Sequence, residues 1–165
     1  MILSVIILAL VTAERLAELA LARRNTRRLL ARGAVESGAG HYPLIVALHA
    51  AWLAGLWLLA WDRPASLPWL GLYLLIEGLR IWTLASLGER WTTRIITLPG
   101  EPLVRRGPYR FLSHPNYLVV AGEIAVLPLV FGLPVYALVF SLLNAAVLWI
   151  RLRAETAALR SAATP

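Results

Sequence analysis

"PLIVALHAAWLAGLWLLAW", residues 43–61, decides the fold class. Crossing roughly 30 Å of bilayer hydrocarbon takes about 20 consecutive, mostly apolar residues. A helix can do this because it satisfies its backbone groups without water. Four other segments approach the same length, over residues 2–22, 67–87, 117–131 and 134–150. Only Gly132-Leu133-Pro134 marks the junction of the last two, which predicts a tight turn and an antiparallel helical hairpin. The composition agrees: 165 residues, 59% hydrophobic, 15% charged, with a mean hydropathy of +0.70. A soluble domain is about half apolar and about a quarter charged. The expectation is an all-α polytopic membrane helix bundle, one domain over residues 1–165, with about five transmembrane helices. Met1-Ile-Leu opens apolar, without the basic stretch of a signal peptide, so the first segment reads as a retained span.

All sixteen basic residues are arginines, and the net charge is +7. In a soluble protein that surplus suggests nucleic acid; here the arginines crowd short loops, where they set topology, and no nucleic-acid partner is expected. Arg23, Arg24, Arg27, Arg28 and Arg32 lie between the first two spans. Arg90, Arg94, Arg105, Arg106 and Arg110 lie between the third and fourth, and Arg151, Arg153 and Arg160 follow the fifth. Arg63 stands alone on the other side. The positive-inside rule then predicts the N-terminus outside and the C-terminus in the cytosol. There is no cysteine, which excludes disulfides, thiolate metal sites and cysteine nucleophiles. His41 and His49 come without a His-Glu-x-x-His pattern or an acidic cluster, so no metal site is expected and both read as structural or pocket-lining.

Ionisable groups at membrane depth are costly and face a bundle interior or a cavity. The first span carries Glu14, Arg15 and Glu18, the third Glu77 and Arg80. Arg15 with Glu18, and Glu77 with Arg80, are three residues apart and can pair on one helix face. Such charges serve either as interhelical glue or as the wall of a polar pocket.

The densest polar stretch is "LVRRGPYRFLSHPNYLVVAGEI", residues 103–124. Ser113-His114-Pro115 reads as a helix start, with Pro at the first helical position and a side chain before it facing free amides. Gly107 and Pro108 shape the approach, Tyr109 and Tyr117 flank it, and Glu123 lies inside the following helix. An open helix N-terminus at an interface binds anions, so the stretch suits a zwitterion with an aromatic part; ordinary capping within an aromatic belt is the other reading. In "LWIRLRAETAAL", Arg151 and Glu155 are four residues apart on one face. The hairpin returns them to the level of His114 and Tyr117.

This order of motifs resembles the isoprenylcysteine carboxyl methyltransferase family, and specifically its bacterial branch, which includes alkylpyrone and alkylresorcinol O-methyltransferases. The likeness extends to "ERLAELALARRN", "GAVESGAGHYPLIVALHAAW" and "LGERWTTRIITLPGEPLVRRGPYR", and so covers nearly the whole chain. It implies a transferase of the bacterial inner (plasma) membrane that takes S-adenosyl-L-methionine from the cytosol and methylates an oxygen of a lipid-like acceptor. It also implies a cytosolic cofactor pocket within residues 88–160, drawn from Gly107, Tyr109, His114, Pro115, Asn116, Tyr117, Glu123 and Glu155. The implied catalytic groups are Arg151, Glu155 and His114. Members acting on prenylcysteine carry paired glutamates in the last element and often a basic residue before the histidine; here Thr156 follows Glu155 and Ser113 precedes His114. The alternatives are a phospholipid-type N-methyltransferase and a non-enzymatic membrane scaffold.

Overall fold

The computed structural model describes the backbone of residues 1–102 and 104–163, and the side chains of these up to residue 157. Leu103, at the head of the polar stretch, and the side chain of Arg160 lie outside the described residues. Five helices follow the apolar segments: α1 (Ile2–Ala31), α2 (Tyr42–Ala60), α3 (Leu67–Leu87), α4 (Pro115–Val130) and α5 (Pro134–Ala163). Proline stands in the first turn of α2, α3 and α4, where its missing N–H costs no helical hydrogen bond. Three helical stretches, Ala39–Ala60, Leu67–Arg90 and Pro134–Ala157, are long and apolar enough to cross a membrane, and Pro115–Val130 is a shorter apolar helix. The remaining helix, α1, carries Glu14, Arg15 and Glu18 near its middle. The chain is a helical membrane bundle.

α4 is the central element. It packs against both α3 and α5 and touches α2. Its Ile124, Leu127 and Val130 are buried in one cluster with Leu8 of α1 and Leu56 of α2. Outward, Leu58, Leu75 and Val135 stand exposed on three different helices, as expected of faces solvated by lipid. The predicted hairpin turn is present. Gly132 adopts φ +66°, and the amides of Phe131, Gly132 and Leu133 return to the carbonyls of Pro128 and Leu129 at 3.0–3.1 Å. Tyr136 of α5 lies across Gly55 of α2, where a Cβ would strike its hydroxyl, and that hydroxyl donates to the Trp52 carbonyl at 2.7 Å.

Two features depart from the sequence expectation. α1 and α5 each run 30 residues, well past their apolar stretches. Arginine is a good helix former, and buried Ala22, Asn25 and Leu29 keep the α1 extension packed. There is also a two-stranded antiparallel ribbon, β1 (Val35–Ser37) against β2 (Ile95–Thr97), pairing Val35 with Thr97 and Ser37 with Ile95. Three residues are too few to show an alternating pattern. The ribbon is fastened by Arg94, which reaches Glu36 at 2.9 and 3.0 Å and lies 4.7 Å from the centre of the Tyr42 ring.

Candidate active site

The site assembles where the start of α4 meets the C-terminal half of α5. His114 precedes Pro115, the buried first residue of α4, but its side chain caps no helix amide. The imidazole instead stacks on Tyr117, with ring centres 5.2 Å apart and planes 7° from parallel. The capping expected from the sequence is thus replaced by a flat two-ring surface. Tyr117 Oη donates to Glu155 Oε2 and accepts from Arg151 Nε at 2.9 Å. Arg151 also donates through Nη1 to the Thr93 carbonyl at 2.7 Å, and His114 Nδ1 lies 3.8 Å from Glu155 Oε2. Arg151 and Glu155 therefore do not bond each other along α5; a tyrosine hydroxyl from α4 stands between them. Among the described residues, Glu155 Oε1 and Arg151 Nη2 make no hydrogen bond.

Tyr109 lies close by: burial, and then the charge of Glu155, push its hydroxyl up to about 12. Gly107 acts at longer range. It adopts φ +57°, and a Cβ there would strike Ser86 Oγ and sit 3.2 Å from Trp82 Nε1. Arg106 Nε donates to the Ser86 carbonyl at 2.7 Å, so the Gly107–Arg110 turn is held flush against the end of α3. Asn116 faces a cavity, and its buried Oδ1 has no partner among the described residues.

Glu123 is the predicted residue that the fold sets apart. It is 3% exposed, and Arg80 Nη1 reaches both of its oxygens at 2.8 and 2.7 Å. Arg80 also binds Glu18, with Nη2 at 2.5 Å from Oε2. Arg15 pairs with Glu18 at 3.1 Å, as its spacing predicts, and approaches Glu123 at 3.3 Å and Glu77 at 3.6 Å. Arg80 thus pairs across helices and not with Glu77 on its own. The network ties α1, α3 and α4 together.

Between the two polar groups lies a cavity of about 300 Å³. Tyr117 and Arg151 form one end, Arg15, Glu18 and Arg80 the other, with apolar walls including Leu16, Leu53 and Val120. His49 lines it too, with its Nδ1 2.8 Å from the Ile45 carbonyl. A second, more open hollow of about 610 Å³ lies beside the motif between Arg32, Glu101 and Arg106. Sequence reasoning missed Thr93, which holds Arg151 by a backbone carbonyl that any residue would supply. It also missed Tyr42, whose hydroxyl lies 3.1 Å from Thr93 Oγ1, and Asn144, which looks unremarkable in an apolar run.

A carboxylate, a guanidinium, stacked rings and an adjoining apolar cavity can hold a zwitterion beside a greasy molecule. The comparisons point the same way. A Bacillus subtilis (strain 168) protein, uncharacterized YpbQ, is 39% identical over 160 residues, spanning 94% of this chain and 95% of its own. An uncharacterized protein of Haemophilus influenzae is 26% identical over 147 residues, spanning 81% of this chain and 86% of its own. No solved structure matches significantly. The profile of the isoprenylcysteine carboxyl methyltransferase family matches residues 69–161. The chain belongs to that family of membrane methyltransferases.

Proposed function

We propose that the protein transfers a methyl group from S-adenosylmethionine to a carboxylate, enol or phenol oxygen of a lipid-like acceptor, at the cytosolic face of a bacterial inner membrane. The observation that carries this reading is the convergence of His114 and Tyr117 with Arg151 and Glu155 at the end of an apolar cavity. The residues suit the cofactor: Glu155 keeps one unbonded oxygen for an ammonium, and Asn116 Oδ1 is a buried acceptor without a partner. When bound, S-adenosylmethionine supplies an electrophilic methyl on a sulfonium.

Each side chain has a task. Glu155 Oε1 holds the ammonium. His114 and Tyr117 form the flat wall of the cradle. Arg151 is fixed through Nε and Nη1, so its Nη2 is aimed without free rotation and orients an anionic acceptor oxygen. Alignment of two reactants is a large source of rate, and the apolar cavity excludes water, so opposite charges that vanish on reaction are little stabilised beforehand. A carboxylate or acidic enol needs no base; a phenol gives its proton to His114 or Glu155. Glu123 stays out of the chemistry and holds α4 in place through Arg80.

Calorimetry on detergent-purified protein tests this. Wild type should bind S-adenosylmethionine at micromolar concentrations, and Glu155→Ala should weaken binding by about tenfold or more, since hydrogen bonds to charged groups contribute about 1.5–3 kcal/mol. Labelled methyl should then appear in ethers or esters, and its appearance in amine lipids would transfer the reading to N-methylation. A well-folded wild type that binds no cofactor would end it.

A further inference from the structure

The cavity is not apolar to its end. Glu18, His49, Arg80, Glu123 and Asn144, one residue from each of the five helices, form a polar layer inside the bundle. Asn144 is seven residues from Arg151 along α5, and His49 seven from Tyr42 along α2. At 1.5 Å per residue, the layer lies about 10 Å beneath the Arg151 level. Within it the charged groups are already engaged: Arg80 by Glu18 and Glu123, and Arg15 by Glu18 and Glu123. The two neutral members each keep an atom free for a ligand. Asn144 is 2% exposed, lines the cavity, and its Oδ1 has no partner among the described residues. His49 donates from Nδ1 to the Ile45 carbonyl, which leaves Nε2 as an acceptor. A buried polar group without a partner is costly, and Asn144 Oδ1 on the cavity wall, with the acceptor nitrogen of His49 lining the same cavity, marks a place where a ligand supplies the missing bonds.

We infer that the cavity recognises acceptors with a second oxygen, a hydroxyl about 10 Å from the methylated one, and not plain alkyl chains. A hydroxyl matches the free groups, because it donates to Asn144 Oδ1 or His49 Nε2 and accepts from Asn144 Nδ2. The excess of carboxylates around Arg15 and Arg80 disfavours an anion there. This deepens the methyl-transfer reading, which it needs only to say which oxygen faces Arg151.

The test needs no cofactor. Tryptophan fluorescence of the full chain in detergent, where Trp91 lines the cavity, is titrated with three probes. These are stearic acid, stearic acid hydroxylated at mid-chain, and its isomer hydroxylated beside the carboxylate. The mid-chain alcohol should bind about five- to tenfold more tightly than either of the others, the range of one or two neutral hydrogen bonds. Asn144→Leu should bring it to parity with stearic acid without weakening stearic acid itself, and His49→Leu should reduce the preference in the same direction. Equal affinities in wild type, or a preference untouched by both substitutions, overturns the inference. Cofactor calorimetry fails or succeeds independently of either result, so loss of one reading is distinguishable from loss of the other.

Discussion

Tyr117 shows what a single hydroxyl can organise. Arg151 and Glu155 are spaced to pair on one helix, and the sequence makes that pairing the natural expectation; the phenol of α4 intervenes and leaves each ion with a free atom aimed outward. Tyr117→Phe should therefore weaken S-adenosylmethionine binding about tenfold, with little change in thermal stability, because the ring and its stacking remain. Calorimetry beside a thermal melt separates the two effects. Gly107 behaves oppositely. The sequence places it in a cofactor motif, while its positive φ and its contact with Ser86 make it a packing residue. Gly107→Ala should destabilise the fold by about 2–3 kcal/mol, from left-handed backbone strain together with overpacking. Adding Ser86→Gly should recover only the steric part in the same melt.

At the scale of elements, the five helices were legible from their apolar runs, which have few alternatives in a bilayer. Among the described residues three are long and apolar enough to cross it, α4 being shorter and α1 interrupted by charge. Their ends were less so: α1 and α5 continue into polar sequence, where apolar length no longer marks a boundary. The ribbon of β1 and β2 was invisible, since a pairing between residues so far apart leaves no local signature. Charges inside the spans could be read as glue or as pocket, and the fold makes them both at once: Arg80 bridges α1 to α4, and the same group ends the cavity. Removing one member of such a network strands its partners. Arg80→Met should cost about 3–5 kcal/mol in a detergent unfolding assay, the range for an orphaned buried charge. Combining it with Glu18→Gln and Glu123→Gln should recover most of that loss.

For the whole molecule, the arginine distribution predicts a fixed orientation, and the lack of cysteine makes this easy to check. Arg63→Cys should react with a membrane-impermeant maleimide on intact cells, whereas Arg28→Cys should react only after permeabilisation. The reverse pattern would invert the topology and move the proposed cofactor site to the wrong compartment. The polar layer has a bearing on how the bundle is made. Glu18 leaves the ribosome 105 residues before Glu123, counting 123 minus 18, and Arg80 lies between them. At about 5–20 residues per second, α1 waits roughly 5–20 s for the full set of counter-charges. A helix carrying Glu14, Arg15 and Glu18 is a poor guest for lipid on its own during that interval. Its stable insertion is thus a late, chain-wide event, and truncation before α4 should leave α1 the first helix lost from the membrane.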